Sequence, residues 1–170
     1  MITRDIYLAG GCFWGTEHFM KQVDGVESTE VGFANSIIPD PTYREVCTGA
    51  THAAETVKVT YDASRVSLAF LLELYFATID PTSLNRQGGD AGTQYRTGIY
   101  YTDSADRQVI DAAIARLQTH YTRPVVVEVM PLENFYPAED YHQDYLDKNP
   151  DGYCHISPRL FELARTARGS

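Results

Sequence analysis

Ile6-Tyr7-Leu8-Ala9-Gly10-Gly11-Cys12-Phe13-Trp14-Gly15 is the stretch on which the reading of this chain turns. The apolar run Ile6 to Ala9 predicts a buried strand. Gly10-Gly11 lets the backbone turn tightly and lets a ligand approach it. Phe13 to Gln22 predicts a short helix that ends near Asp24-Gly25. A cysteine at such a junction faces the unpaired N–H groups of a helix start, whose partial positive charge favours thiolate over thiol. That setting can bring a cysteine pKa from ~8.5 into the range of roughly 3.5 to 7.5. Two aromatic residues follow Cys12 directly, so the expectation is a reactive sulfur beside an apolar wall, suited to a small apolar or soft substrate group.

Working outward, Glu27 to Phe33 predicts a second strand, and Val57, Val59 and Tyr61 alternate with Lys58 and Thr60 as a half-buried third. Leu68, Leu71, Leu72, Tyr75 and Ile79 fall on one helical face, and Asp80-Pro81 ends that helix. Ile99 to Thr102 reads as a short strand. Asp103 or Ser104 caps a helix that carries Ile110, Ala113, Ile114, Leu117 and Tyr121 on one side. Val125 to Met130 predicts a strand, 138–147 a helix and 160–168 a terminal helix. The segments 35–54 and 83–98 read as long irregular loops, a length usually reserved for function.

The whole is predicted to be one α+β domain spanning residues 1–170. It has a mixed β-sheet with packed helices, near the ferredoxin-like plait, with long irregular loops. Its core runs from about residue 5 to 147, and a C-terminal tail from about 148 to 170.

Fourteen basic against 23 acidic residues leave a net charge of −9. No Lys/Arg cluster exists, which argues against nucleic acid and anionic membrane as partners. No run reaches the ~18 apolar residues of a membrane span, and the N-terminal residues lack the apolar stretch of a signal peptide. A cytoplasmic, monomeric protein is the expectation. Three cysteines, Cys12, Cys47 and Cys154, are too few and too scattered for a disulfide scaffold.

Glu55 shares strand parity with Val57, Val59 and Tyr61, which points it to the buried face. Burial raises a carboxyl pKa and makes a general acid at neutral pH. The bland alternative is a strand-end Glu turned to solvent. Tyr43 and Tyr95 sit in the two long loops, where their hydroxyls can bond a polar oxygen or simply pack. Asp90, among glycines, holds a site water or caps a turn. Cys154 follows a Pro-Asp-Gly turn. It reads either as a lone exposed thiol or as a mobile one able to reach back to Cys12. Cys47 reads as structural. Metal binding is weakly supported, because no C-x-x-C or H-x₃₋₅-H spacing occurs. A cysteine hydrolase pairing Cys12 with His142 lacks its local signature.

Several motifs carry a more specific resemblance: Gly11-Cys12-Phe13-Trp14-Gly15, Pro41-Thr42-Tyr43, Val46-Cys47-Thr48-Gly49, Glu55-Thr56-Val57, Asp80-Pro81-Thr82, 90–96 (Asp-Ala-Gly-Thr-Gln-Tyr-Arg) and 138–143 (Ala-Glu-Asp-Tyr-His-Gln). In this order they resemble the A-type peptide methionine sulfoxide reductases. The resemblance implies that Cys12 is the nucleophile and that Glu55 protonates the departing sulfoxide oxygen. It implies that Tyr43 and Tyr95 bond that oxygen, and that Phe13 and Trp14 form the pocket for the S-methyl group. Asp90 and His142 become polar residues around the site, and Cys154 the recycling cysteine. It also implies no bound cofactor or metal, a methionine S-sulfoxide substrate, free or in proteins, and thioredoxin as the external dithiol partner. The chain departs from the family where it reads His52-Ala53-Ala54-Glu55; many members read Gly-His-Ala-Glu there.

Overall fold

The computed structural model describes residues 2–168; Met1, Gly169 and Ser170, the ends of the expected 1–170 domain, lie outside the described residues. The quoted stretch folds as expected. Strand β1 (Thr3–Gly10) leads through Gly11 and Cys12 into helix α1 (Phe13–Met20). Strand β2 (Val26–Ala34), a short helix α2 (Tyr43–Cys47), strand β3 (Ala54–Asp62) and helix α3 (Leu68–Phe76) follow. A two-residue hairpin, β4 (Arg86–Gln87) and β5 (Asp90–Ala91), precedes a 3₁₀ turn at Thr93–Tyr95. Strand β6 (Thr97–Tyr101), helix α4 (Asp106–Gln118), and strands β7 (Glu128–Pro131) and β8 (Phe135–Pro137) come next. A 3₁₀ turn at Asp140–His142, helix α5 (Tyr145–Lys148) and helix α6 (Pro158–Thr166) complete the described chain.

Six strands form one mixed sheet in the order β7-β6-β1-β3-β2-β8. Only β6 and β7 run parallel; every other neighbouring pair is antiparallel. Strand β1 is central, which explains its unbroken apolar run. Ile6 and Leu8 face the main core, with Phe13, Phe19, Leu71, Leu72 and Ile110 from the helices. Tyr7 and Ala9 face the other side, with Ala34, Ala54 and Tyr100, beneath Met130, Leu132 and Phe135. A strand covered on both faces cannot alternate polar and apolar residues. The Tyr75 hydroxyl of α3 donates to the Ala9 carbonyl and fixes the end of β1 where the site begins.

Four expectations are corrected. The segment 35–54 is not wholly irregular: α2 lies within it, closed by a capping box between Thr42 and Glu45. The helix expected over 138–147 is absent as a unit. Asp144 adopts φ +53°, and the Gln143 side chain pairs with both the N–H and the carbonyl of Val31 at 2.9 Å, so the segment follows the sheet edge instead. The strand expected over 125–130 begins only at Glu128, because the Val125 N–H bonds Gln118 and the Val126 N–H bonds Pro81. Asp103 accepts from the Ala105 N–H in the turn before α4 rather than capping the helix itself. Among the described residues, no helix is long and apolar enough to cross a membrane.

Candidate active site

Gly11 carries φ +90°, and a Cβ there would stand 2.8 Å from Gln87 Cβ, so the turn between β1 and α1 requires glycine at this position. That turn delivers Cys12 to the N-terminal end of α1. Cys12 is only 6% exposed. The expected depression of its pKa is overturned. Burial first, and the Glu55 carboxylate second, push the Cys12 thiol well above its ordinary range. The Trp14 N–H favours the ionised form but does not offset them. The helix start is present, yet the cost of a buried charge is the larger effect, so the resting sulfur is a thiol.

Glu55 lies near the start of β3, opposite Phe33 of β2, and is 1% exposed, as its parity requires. Its Oε1 accepts the Phe13 N–H at 3.2 Å. Its Oε2 is buried without a hydrogen-bond partner among the described residues. Burial pushes the carboxyl up to about 8; the Phe13 N–H opposes this and the negative charge of Asp90 adds to it. At neutral pH the group is a protonated acid. One oxygen is tied to the residue after the nucleophile, and the other is free.

The two loop tyrosines converge on this carboxyl. Tyr43 opens α2, with its N–H on Glu139 at 3.1 Å and its ring 6.3 Å from Phe13, stacked. Tyr95 ends the 3₁₀ turn at Thr93–Tyr95. Burial, and next the charge of Glu55, raise both phenols above their usual range, so both remain hydroxyl donors. Phe13 also packs against Phe33 at 5.6 Å and His142 at 5.3 Å. Trp14 stacks on Tyr145 at 3.8 Å and 13°, and its indole N–H donates to His142 Nδ1 at 3.0 Å. That bond sets the neutral imidazole as an Nε2–H tautomer, and burial lowers the His142 pKa. His142 Nε2 has no partner among the described residues. Glu17, buried on α1, accepts from Thr29 Oγ1 and the Asp144 N–H, and so fixes the segment that bears His142 and Tyr145.

Asp90 belongs to the hairpin and accepts the Tyr153 hydroxyl at 2.7 Å. Cys154 follows; its Sγ is 3.2 Å from where a Cβ on Gly15 would stand, against the first turn of α1. The Cys154 thiol is therefore beside the nucleophile's helix, half-buried rather than a lone exposed group. Cys47 is exposed; partial burial of its thiol raises its pKa and hydrogen bonding with the Tyr43 hydroxyl opposes this. All three thiols are free. Among the described residues no group of three or more His, Cys, Asp or Glu is arranged to hold a metal ion.

The nine candidate residues thus lie around Cys12 and Glu55, linked by packing, hydrogen bonds and the effects of their charges on one another. Phe33, Tyr145, Tyr153 and His155 were not among them. Phe33 shows inward parity within β2, but the register that sets it opposite Glu55 is not readable from the strand's alternation. Tyr145 and Tyr153 carried no signal beyond the excess of loop tyrosines.

A thiol, a buried protonated acid and two tyrosyl donors are groups suited to a thiol-dependent oxidoreductase. The chain belongs to the peptide methionine sulfoxide reductase family, whose model matches residues 4–168. It is 54% identical to a peptide methionine sulfoxide reductase MsrA of Mycoplasma genitalium over 153 residues, covering 90% of this chain and 98% of that one. The crystal structure of Mxr1 from Saccharomyces cerevisiae in reduced form superposes with a TM-score of 0.87 at 37% identity, covering 92% of each chain. The same yeast protein in complex with Trx2 superposes with a TM-score of 0.61 at 25% identity, covering 85% of each.

Proposed function

We propose that this chain reduces methionine S-sulfoxide, free or within proteins, to methionine through Cys12, Glu55 and Cys154. The observation that carries the reading is the Glu55 carboxyl, protonated at neutral pH, held by the Phe13 N–H and unpartnered at Oε2. A sulfoxide has an electrophilic sulfur and a polarised oxygen. Without protonation that oxygen is a poor leaving group. Oε2 donates its proton to the oxygen while Tyr43 and Tyr95 hydrogen-bond it. Glu55 becomes a carboxylate as it does so, and takes up the S–H proton as Cys12 Sγ attacks the substrate sulfur. The hydroxyl formed on the substrate sulfur then passes to Cys12 Sγ as the S–S bond between the two sulfurs breaks, the electron pair stays on the methionine sulfur, and thiol plus sulfoxide become sulfenic acid plus methionine. The ring faces of Phe13 and Trp14 receive the S-methyl group.

Cys154 then attacks the Cys12 sulfenic sulfur. An S–S bond forms, the S–O bond breaks, and the Cys154 proton leaves with the hydroxyl as water. An external dithiol reduces the disulfide. The Trx2 complex of the yeast relative supports thioredoxin in that role. The succession β1-α1-β2-β3-α3-β6 with inner strand order β6-β1-β3-β2 supports a ferredoxin-like plait, widened by β7 and β8, as the single catalytic domain.

Assaying each sulfoxide epimer with dithiothreitol tests the reading. Methionine forms from the S epimer with the native chain and not with Cys12→Ser. Turnover by Cys12→Ser, or equal turnover of both epimers, refutes it.

A further inference from the structure

His155, the residue after Cys154, is half-buried although it lies near the end of the described chain, and the mechanism above does not use it. Its side chain lies against three glycines. A Cβ on Gly11 would stand 3.2 Å from His155 Nε2, one on Gly15 3.2 Å from its Cε1, and one on Gly88 3.3 Å from its Cβ. Each of these is tighter than ordinary van der Waals contact, so glycine at three separated positions leaves room for this side chain. His155 Nε2 lies 2.9 Å from the Gly10 carbonyl. A carbonyl only accepts, so Nε2 carries the proton and Nδ1 is left as the bare nitrogen. Nδ1 is buried with no partner among the described residues. Gly10 is the last residue of β1, two before Cys12. The bond therefore joins the residue after one thiol to the backbone just before the other, across 145 positions of sequence.

We propose that His155 is a positioning residue for the recycling step: its Nε2–H bond to the Gly10 carbonyl holds Cys154 docked against the first turn of α1. The proposal rests on Cys154 being the recycling thiol. The physical need is clear. Residues 149–157 form a segment without regular structure, and the hydrogen bonding of the Cys154 thiol among the described residues is one long contact, 3.6 Å to the Ile156 carbonyl. The Tyr153–Asp90 bond and the buried Ile156 flank Cys154, and the His155 bond adds the hold that reaches the backbone just before Cys12; loosening it lowers the effective concentration of the thiol at the sulfenic acid. One buried hydrogen bond, lost with its partner left unsatisfied, corresponds to about a tenfold change in the docked population.

The test follows the two half-reactions in one sample. Enzyme is mixed with sulfoxide in the absence of reductant; methionine release and loss of free thiols are timed by rapid quench. His155→Leu slows Cys12–Cys154 disulfide formation about tenfold relative to its own methionine-release step, and Cys12 sulfenic acid accumulates to a carbon-acid trap. In His155→Gln a terminal amide N–H reaches the same carbonyl, and the ratio returns to within about threefold of native. Three results overturn the proposal: an unchanged ratio in His155→Leu, an equal loss in both steps, or a glutamine variant as impaired as the leucine one. Cys154→Ser runs alongside. If it still loses two thiols per methionine, the recycling assignment itself fails; if it stops at the sulfenic acid while His155→Leu behaves as native, only the inference about His155 fails.

Discussion

Raising the pH through 8 at low substrate concentration perturbs one group whose protonation the proposed chemistry requires. Below saturation the second-order rate constant reports the free enzyme. There the Glu55 carboxyl sits at about 8, because burial penalises its charged form. It is then roughly nine-tenths protonated at pH 7 and about one-tenth at pH 9. The Cys12 thiol lies well above its usual range, so it stays protonated across this window. The reactive composition is the fully protonated pair: acid and thiol together, with the thiol proton replacing the one given to oxygen. The rate constant is therefore flat from pH 6 to 7 and falls tenfold per unit above about 8, a loss of about 1.4 kcal/mol of transition-state stabilisation per unit. Stopped-flow or quench measurement of methionine formation, with dithiothreitol absent so that only one turnover occurs, reads this directly. A rate that climbs through pH 8 refutes the reasoning. It would mean that the active form has already lost a proton and that Cys12 attacks as a preformed thiolate.

Glu55→Gln keeps an oxygen for the Phe13 N–H but has no acid proton, so the single-turnover rate falls by about 10² to 10⁴ and the pH dependence above 7 disappears. The same variant gains stability. The native carboxyl keeps a proton that the unfolded chain releases above its ordinary value of 4.5, so native stability declines as pH rises from there towards about 8. Its relief at pH 7 is worth at most about 3 kcal/mol, seen as a higher urea midpoint that matches native again near pH 4; equal midpoints at both pH values would remove the desolvated acid. Trp14→Phe removes the indole donor to His142 Nδ1, leaving a buried acceptor unpaired; KM rises about tenfold with kcat within about threefold, measured by steady-state kinetics with thioredoxin recycling. Gly32→Ala sets a Cβ 2.5 Å from both Phe135 Cζ and the Tyr136 carbonyl oxygen, and costs about 1–3 kcal/mol in urea unfolding through the β2–β8 pairing.

The parts of this fold that were readable in the residues are those where one local rule decides. Central burial accounts for the apolar run before Gly10, and alternation placed Glu55 inward correctly because β3 has one helix-covered face along its length. Where side chains from distant segments decide, the local rules failed. The stretch 138–147 has helical composition, but Gln143 is taken up by the backbone of β2 and Asp144 by Glu17, both more than a hundred residues away. Helix α2 was hidden among prolines, though the Thr42–Glu45 capping box was there to be found. Of the site, the residue types and their convergence were legible, but the charge state of Cys12 was not. A helix start is visible in sequence; the depth at which it lies is not, and depth decided the balance.

That reversal bears on how the site avoids damage as well as how it reacts. A standing thiolate at a cleft open to peroxide would oxidise without substrate, since oxidation follows thiolate character and exposure. Here both proton sites are full at rest, and each is kept so by the same burial that seals the sulfur. Under the proposed chemistry, nucleophile and acid become competent only when a sulfoxide oxygen arrives to take the Glu55 proton, because the carboxylate left behind is the base that the thiol otherwise lacks. Selectivity for a sulfoxide over a simple oxidant then comes from a shared proton rather than from shape alone. The coupling predicts that a sulfide or sulfone of the same shape, unable to accept that proton productively, occupies the cleft without activating Cys12 towards an alkylating reagent.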